Sequence, residues 1–249
     1  MDADKILMLS SCQHWSAEGD EHSCETCQVR NLFVFKELNP GELKVLNSER
    51  MTILYQAGES IYKEGTKPSG LLCLSKGKVK IEKEKLSGES QIVALKKESE
   101  FIGFAGLISQ ATHSSSAIAL EDCRVCYIPK ENFLKVLHSN HTLALKIIEY
   151  LANELLRTNG RMADLTQKHM RARLADAILY AYEKFRFDKD DRMIQVELKR
   201  SDLAALSNMT TANAIRTLTE FSRDQLISVD GRQISILNLS ALRRISQMG

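Results

Sequence analysis

The sequence predicts an α+β protein with a strand-rich N-terminal part and a helical C-terminal part. Three observations support this prediction. Residues 50–128 contain short runs of β-branched and apolar side chains that glycines separate, residues 141–167 carry a continuous helical period, and residues 201–237 combine two short helical segments with a hairpin signal. A chain of 249 residues is long enough to build two such domains.

Composition indicates a folded protein and excludes several classes. Hydrophobic residues make up 43% and charged residues 27%, which excludes a disordered chain. There is no apolar run of about 18 residues, so a membrane-spanning helix is not expected. Met1 to Asp4 do not begin a basic segment followed by an apolar one, so we expect no secretory signal and a cytoplasmic location. The six cysteines are then expected to be thiols rather than a disulfide framework.

Residues 50–128 are expected to form a β-barrel, roll or sandwich, because many short strands with turns between them are typical of these folds. The predicted strands cover residues 51–55, 70–74, 78–81, 92–95, 116–120 and 124–128. A helix from Pro40 to Asn47 should precede them, since Asn39 can cap its N-terminus and proline suits a first helical turn.

A long helix is predicted from His141 to about Gln167, and it carries two apolar stripes. One stripe is formed by Leu145, Ile148, Ala152, Leu155 and Met162, and its neighbour by Leu143, Ile147 and Leu151. Two stripes require two partners. We expect one stripe to pack on the strand-rich domain and the other on a second copy of the helix, as in a coiled coil. The alternative is a core helix of a monomer.

The C-terminal part is predicted to be a winged helix-turn-helix. A helix over Met170–Phe185 is followed by a helix over Ser201–Leu206, a break at residues 207–210, a helix over Thr211–Asp224 and two strands around Asp230-Gly231. Helix, tight turn, helix and hairpin in this order define that motif. The alternative is a helical hairpin without a ligand.

The second helix of the motif is expected to read DNA, because its N-terminal outer face meets base edges in helix-turn-helix proteins. Ser201 and Thr210 are predicted to cap the two helices, and Arg216 can pair bidentately with guanine. The candidate DNA contacts are Lys199, Arg200, Ser201, Thr210, Thr211, Ala212, Asn213 and Arg216. Residues 171–249 hold 13 lysines and arginines against 10 acidic residues, a basic balance that is compatible with nucleic acid.

Residues 57–65 and 70–81 resemble the cyclic-nucleotide-binding β-roll of the CRP/FNR regulators in their glycine spacing and in the ending Gly77-Lys-Val-Lys-Ile81. The resemblance covers about residues 32–240. It implies a homodimeric transcription factor on a two-fold symmetric DNA site, with RNA polymerase as a partner if the protein activates. The implied parts are a cysteine-containing segment (1–30), a β-roll effector domain (31–138), a dimerisation helix (139–168) and a DNA-binding domain (169–249).

The family's effector site departs from its pattern in this chain. The family's glutamate for the ribose hydroxyl is replaced by Phe104, and His113 or Ser114 stands near the place of the arginine that binds the cyclic phosphate. Cyclic AMP is therefore disfavoured, although another small molecule could use the pocket. The candidate pocket residues are Phe104, Ala105, Gly106, His113, Ser114 and Ser115.

The reading helix departs from the family as well. The glutamate that usually precedes the arginine by four residues is Ala212 here. A contact to cytosine N4 is lost, so the half-site is expected to differ from the family's usual TGTGA or TTGAT.

The cysteines resemble those of the oxygen-sensing FNR branch, which carries an iron–sulfur cluster. Cys24 and Cys27 form a CxxC pair before the roll, and Cys126 matches that branch's distant ligand. Phe33 stands where the branch has another cysteine, so Cys12 is predicted as the fourth ligand of a [4Fe–4S] or [2Fe–2S] cluster.

The sequence is also compatible with other roles for the cysteines. Cys123 is a rival fourth ligand, but residues 123 and 126 of a strand face opposite sides, and Cys123 and Cys73 are expected in the core. Four thiolates could instead hold zinc, or the CxxC pair could be a thiol–disulfide switch. Heme is a further alternative, with His14, His22 or His113 as axial ligands. The sequence offers no arrangement of catalytic residues beyond these thiols, and an enzyme is not expected.

Overall fold

The computed structural model describes residues 34–85, 88–186, 193–194 and 196–248. The helices are α1 (Pro40–Asn47), α2 (Phe104–Ser109), α3 (Lys130–Ser139), α4 (His141–Gln167), α5 (Met170–Phe185), α6 (Arg200–Leu206), α7 (Thr211–Arg223) and α8 (Leu239–Ser246). The strands are β1 (Met51–Tyr55), β2 (Ser60–Tyr62), β3 (Gly70–Lys76), β4 (Lys78–Glu84), β5 (Ser90–Lys97), β6 (Glu100–Ile102), β7 (Ser116–Ala119), β8 (Cys123–Pro129), β9 (Ile227–Asp230) and β10 (Gln233–Ile236).

The strands of the N-terminal part form two four-stranded sheets, with orders β1-β8-β3-β6 and β2-β7-β4-β5. All six predicted strands are present, and the α+β fold with its C-terminal helix-turn-helix is confirmed. Sequence reasoning missed β2, β6 and the six-residue helix α2. Elements of three to six residues are too short to show a period.

The chain divides into two compact units. The first contains the chain up to Val79 together with Lys96–Glu154, and the second contains Lys80–Leu95 together with the chain from Leu155 onward. Most of the β4–β5 hairpin is therefore grouped with the helix-turn-helix, while the other strands of both sheets belong to the first unit.

One hydrophobic cluster of the first unit lies between one face of the β1-β8-β3-β6 sheet and the helices that flank it. Its buried members include Leu71 and Ile128 of the sheet, Phe133 of α3 and Leu143 and Ile147 of α4. α1 begins with the predicted Asn39 cap, which is part of a capping box: Asn39 Oδ1 accepts from the Glu42 amide at 2.9 Å, and Glu42 Oε2 accepts from the Asn39 amide at 2.9 Å.

The long helix α4 spans 27 residues, as predicted. The stripe with Leu143 and Ile147 is buried, at 2% and 3% exposure. The other stripe lies in water: Leu145, Ile148, Leu155 and Met162 are each 60% exposed or more. One chain therefore covers one stripe and leaves the other open.

The second unit contains the predicted helix-turn-helix and its hairpin, with Gly231 at φ +56° in the turn between β9 and β10. One prediction was wrong: Ser201 is not the N-cap of the first helix. α6 begins at Arg200, and the carboxylate of Asp202 accepts from the Lys199 amide at 3.0 Å. The negative charge of the Asp202 carboxylate also interacts favourably with the positive end of the helix dipole. A neutral serine hydroxyl provides no such interaction.

Candidate nucleic-acid interface and sensory residues

The helix pair α6 and α7 packs through small side chains, as the sequence indicated. Ala204 of α6 and Ala214 of α7 are 3% and 0% exposed. Leu218 and Phe221 fill the core below α7. Thr210 caps α7 by accepting from the Asn213 amide at 3.3 Å, which confirms the predicted cap.

The outer face of α7 presents Thr211, Ala212 and Arg216 to solvent. Asn213 is only half-buried, and its Oδ1 accepts from Arg216 Nη2 at 3.3 Å. Asn213 is thus placed to orient the guanidinium of Arg216. Sequence reasoning passed over Ile215, which lies on the same side of α7 and is 47% exposed.

The candidate phosphate contacts at the start of α6 are not equivalent. Lys199 and Ser201 are exposed. Arg200 donates from Nη2 to the carbonyl of Gly231 at 2.7 Å, which ties the first turn of α6 to the turn of the β9–β10 hairpin. Arg200 therefore positions the wing as well as adding charge to this surface.

The β4–β5 hairpin contacts α6 through two polar side chains. Asp202 is 4% exposed, and its carboxylate pairs with Lys80 of β4 at 2.9 Å. Burial lowers the pKa of Lys80, but the hydrogen bond and the charge of Asp202 outweigh it, so that the pKa lies above its usual value. Gln91 of β5 also donates to the Ala205 carbonyl at 2.7 Å. The residues that make these contacts are more than 110 positions apart in the sequence, so no local sequence pattern predicts them.

Phe104, where the family has a carboxylate, is 5% exposed and lies in the core of the first unit. Its ring is 5.2 Å from that of Phe101, and both Phe133 and Tyr150 contact it edge-on at 6.0 Å. An aromatic cluster occupies the position of the ribose-binding group, which agrees with the prediction against cyclic AMP.

His113 is 6% exposed and stacks on Tyr62 with ring centroids 3.8 Å apart. Gly103 permits this stack, since a Cβ there would lie 2.5 Å from His113 Cε1. Burial lowers the pKa of His113, so the ring is neutral near pH 7 and cannot replace a phosphate-binding arginine. Of the remaining pocket candidates, Ala105 and Ser114 are exposed, and Gly106 and Ser115 are half-buried.

A buried lysine that sequence reasoning did not find lies at the end of β5. Lys96 is 7% exposed, forms an ion pair with Glu154 of α4 and donates to the Tyr150 hydroxyl at 3.3 Å. Burial lowers the pKa of Lys96, but its electrostatic interactions with Tyr150, Glu154 and Glu100 raise the pKa by a larger amount. The pKa therefore lies above its usual value, and Lys96 stays protonated. The buried charge of Lys96 is therefore paired with a residue of α4.

Cys126 is the one predicted cluster ligand within the described residues, since Cys12, Cys24 and Cys27 lie outside them, as do His14, His22 and Phe33. It is half-buried, packs against the core of the first unit, and its Sγ accepts from Arg50 Nη1 at 2.6 Å. A guanidinium beside a cysteine stabilises the thiolate, the form that binds metals.

The other described cysteines are structural. Cys73 and Cys123 are 4% and 3% exposed, as predicted. Burial raises the pKa of the Cys123 thiol to about 11, which makes it a poor ligand at neutral pH. Within the described ranges, three or more histidine, cysteine, aspartate or glutamate side chains do not converge on a metal-sized site. No helix in those ranges has the length and apolarity to cross a membrane.

Comparison with known proteins agrees with this architecture. The profile of the cyclic nucleotide-binding domain matches residues 52–140, and that of the Crp-like helix-turn-helix domain matches residues 172–245. The Fumarate and nitrate reduction regulatory protein of Vibrio cholerae is 28% identical over 228 residues, covering 90% of both chains. Electron transport regulator A of Shewanella oneidensis is 27% identical over 226 residues, again covering 90% of both.

Solved structures share the fold. FixK2 from Bradyrhizobium japonicum superposes with a TM-score of 0.71 at 22% identity, covering 80% of this chain and 98% of its own. A CRP/FNR-family transcriptional regulator from Thermus thermophilus gives a TM-score of 0.64 at 20% identity, covering 79% and 98%.

Roll and helix-turn-helix together define a DNA-binding transcription regulator with a sensory domain of the cyclic-nucleotide-binding type. More particularly, the chain belongs to the CRP/FNR family, whose members are regulators and not enzymes.

Replacing His113 with phenylalanine should change how stability depends on pH. Because burial lowers the pKa of His113 below 6.5, the unfolded chain binds the proton more readily than the folded chain as the pH falls through that value. The wild-type free energy of unfolding should therefore fall more steeply from about pH 7 to about pH 5 than that of His113→Phe. Urea unfolding at several pH values measures both curves, and parallel curves would contradict the prediction.

Proposed function

We propose that the regulator is a homodimer that reads a two-fold symmetric DNA site with α7 and responds to oxygen or redox state through an iron–sulfur cluster held by its cysteines. The observation that carries the proposal is the contact of Arg50 with Cys126, which sets this cysteine apart from the two buried ones. The names of two relatives, which refer to fumarate and nitrate reduction and to electron transport, support a redox signal.

The exposed stripe of α4 supports the dimer. From Leu145 to Met162 it extends for about 25 Å at 1.5 Å per residue. Burial of each large apolar side chain against a second copy contributes roughly 1.5–3 kcal/mol, so the four large side chains of the stripe on each chain outweigh the cost of association. Two parallel copies of α4 would also present two α7 helices with two-fold symmetry, which is how such dimers meet two half-sites about 34 Å apart.

Cys126 supports the cluster by its surroundings. It lies at the edge of the first unit's core, accessible on one side and packed on the other. Four thiolates leave an iron–sulfur cluster with negative charge, and the guanidinium of Arg50 would offset part of it. We assign Cys12, Cys24 and Cys27 as the other ligands. When bound, the cluster supplies the oxygen-sensitive and redox-active chemistry, and the chain supplies the ligands and the local charge.

A second proposal keeps the regulator and changes the signal. Tyr62 and His113 stack on each other in the first unit, and a small molecule or heme would be recognised by polar groups of this kind. The cysteines would then be structural or would bind zinc. Cyclic AMP is not supported, because Phe104 and a neutral His113 replace the groups that it needs.

Arg216→Ala should weaken binding to a selected specific duplex by about 1–3 kcal/mol and change binding to random DNA little, because the side chain reads a base edge. Fluorescence anisotropy with both duplexes measures the two losses. Arg223→Ala is the matched control, since Arg223 is an exposed arginine in the last turn of the same helix. Equal losses of Arg216→Ala on both duplexes would mean that Arg216 contacts only phosphate.

Cys126→Ser should abolish the visible absorption and the bound iron and sulfide of protein purified without oxygen, and leave the melting of the DNA-binding unit unchanged. Cys123→Ser should keep all three, because Cys123 is buried on the opposite face of β8. Iron and sulfide retained in Cys126→Ser would exclude the proposed ligand set. A colourless wild-type protein that contains zinc would favour the second proposal.

A further inference from the structure

The outward face of the reading helix α7 carries methyl groups rather than charge around Arg216. The buried side of α7 is defined by Ala214, Thr217, Leu218 and Phe221. Ile215 lies three residues after Ala212 and four before Thr219, so these three side chains share one stripe on the opposite side, and all are exposed.

Ile215 differs in exposure from the other large apolar side chains of α7. The other large apolar side chains of α7, Leu218 and Phe221, are 3% and 0% exposed, whereas Ile215 is 47% exposed. A β-branched residue is also a weak helix former, so helix propensity does not account for isoleucine at a surface position. Neither packing nor propensity within the chain explains this side chain, and it lies on the face that meets DNA.

Thymine is the base that presents a methyl group in the major groove, and apolar side chains recognise it there. Cytosine carries a hydrogen at C5 in place of the methyl group and an N4 amino donor in place of O4, and an isoleucine can neither pack on a methyl group nor accept a hydrogen bond there. Ile215 is adjacent to Arg216 in the sequence. If Arg216 pairs with a guanine, Ile215 can therefore distinguish thymine from cytosine at the neighbouring position.

We propose that Ile215 contacts the C5-methyl group of a thymine next to the base pair that Arg216 reads, and so favours thymine at that position of each half-site. Ala212 supports this assignment. It lies one turn before Ile215 and Arg216, and its short side chain lets α7 approach the base edges without adding an acceptor for cytosine. The inference deepens the proposed DNA-reading role of α7 and does not depend on the signal.

The experiment begins with the full-length protein and a random duplex library, from which its specific site is selected. Each thymine of one half-site is then replaced by deoxyuridine, which removes the methyl group and keeps every hydrogen bond. At one position next to a guanine, the replacement should weaken binding about fourfold, and about 15-fold when both half-sites are changed, as expected for one methyl group losing its apolar contact.

Ile215→Ala should weaken binding to the thymine duplex by a similar factor and bind thymine and deoxyuridine duplexes equally. Ile215→Val, which keeps the branch at Cβ, should retain part of the preference. Val93→Ala is the matched control: Val93 is 41% exposed on the β4–β5 hairpin, away from α7, and its replacement should leave the ratio unchanged.

Three results would overturn the proposal. Acceptance of deoxyuridine by the wild type at every position without loss of affinity would exclude the methyl contact. Ile215→Ala could keep the wild-type ratio, or lose affinity equally for both duplexes, which would make Ile215 a structural or phosphate-proximal residue. If the folded wild type selects no duplex at all, the DNA-reading role of α7 fails together with this inference, and that outcome is distinct from the first two.

Discussion

The structure depends on a constraint in α4, namely that one helix carries two apolar stripes and a single chain covers only one of them. Leu143 and Ile147, on the inner stripe, are buried in the core of the first unit. Leu145, Ile148 and the rest of the second stripe, here called the outer stripe, are exposed to solvent. The buried ion pair between Lys96 and Glu154 fixes the helix to the end of β5 as well. The orientation of the outer stripe is therefore set by how the inner stripe packs.

This constraint suggests how a signal at the cysteines reaches the DNA-reading helices. Cys126 and the inner stripe of α4 contact the same hydrophobic cluster, and Arg50 holds the charge beside the sulfur. If Cys126 ligates the proposed cluster, a change of ligation there would alter the packing of Leu143 and Ile147, and two-state packing in such a core converts small shifts into discrete states. The aromatic cluster around Phe104 fills the place where the family's nucleotide contact would lie, so the cysteine side is the more direct route.

Sequence periodicity was sufficient for the long elements and insufficient for contacts between distant residues. α5 begins and ends at the predicted residues, Met170 and Phe185, because its apolar period is sustained over several turns. The cap of α6 was predicted wrongly, because Ser201 lies within the first turn of the helix and Asp202 accepts from the Lys199 amide instead. The buried Lys96 and the exposed Ile215 were missed for a related reason. Each breaks the usual relation between residue type and burial, and sequence periodicity does not mark such exceptions.

Sedimentation equilibrium of the full-length protein tests the central claim, that the outer stripe of α4 joins two copies. We expect the wild type to sediment with twice the mass of one chain, and Leu155→Glu, which places a charge in the middle of the stripe, to sediment as a folded monomer that no longer binds the selected site. Leu54→Glu is the control, because Leu54 is 48% exposed on β1 and its replacement should leave the dimer intact. A wild type that is monomeric at micromolar concentration, or a Leu155→Glu variant that remains dimeric, would contradict the account.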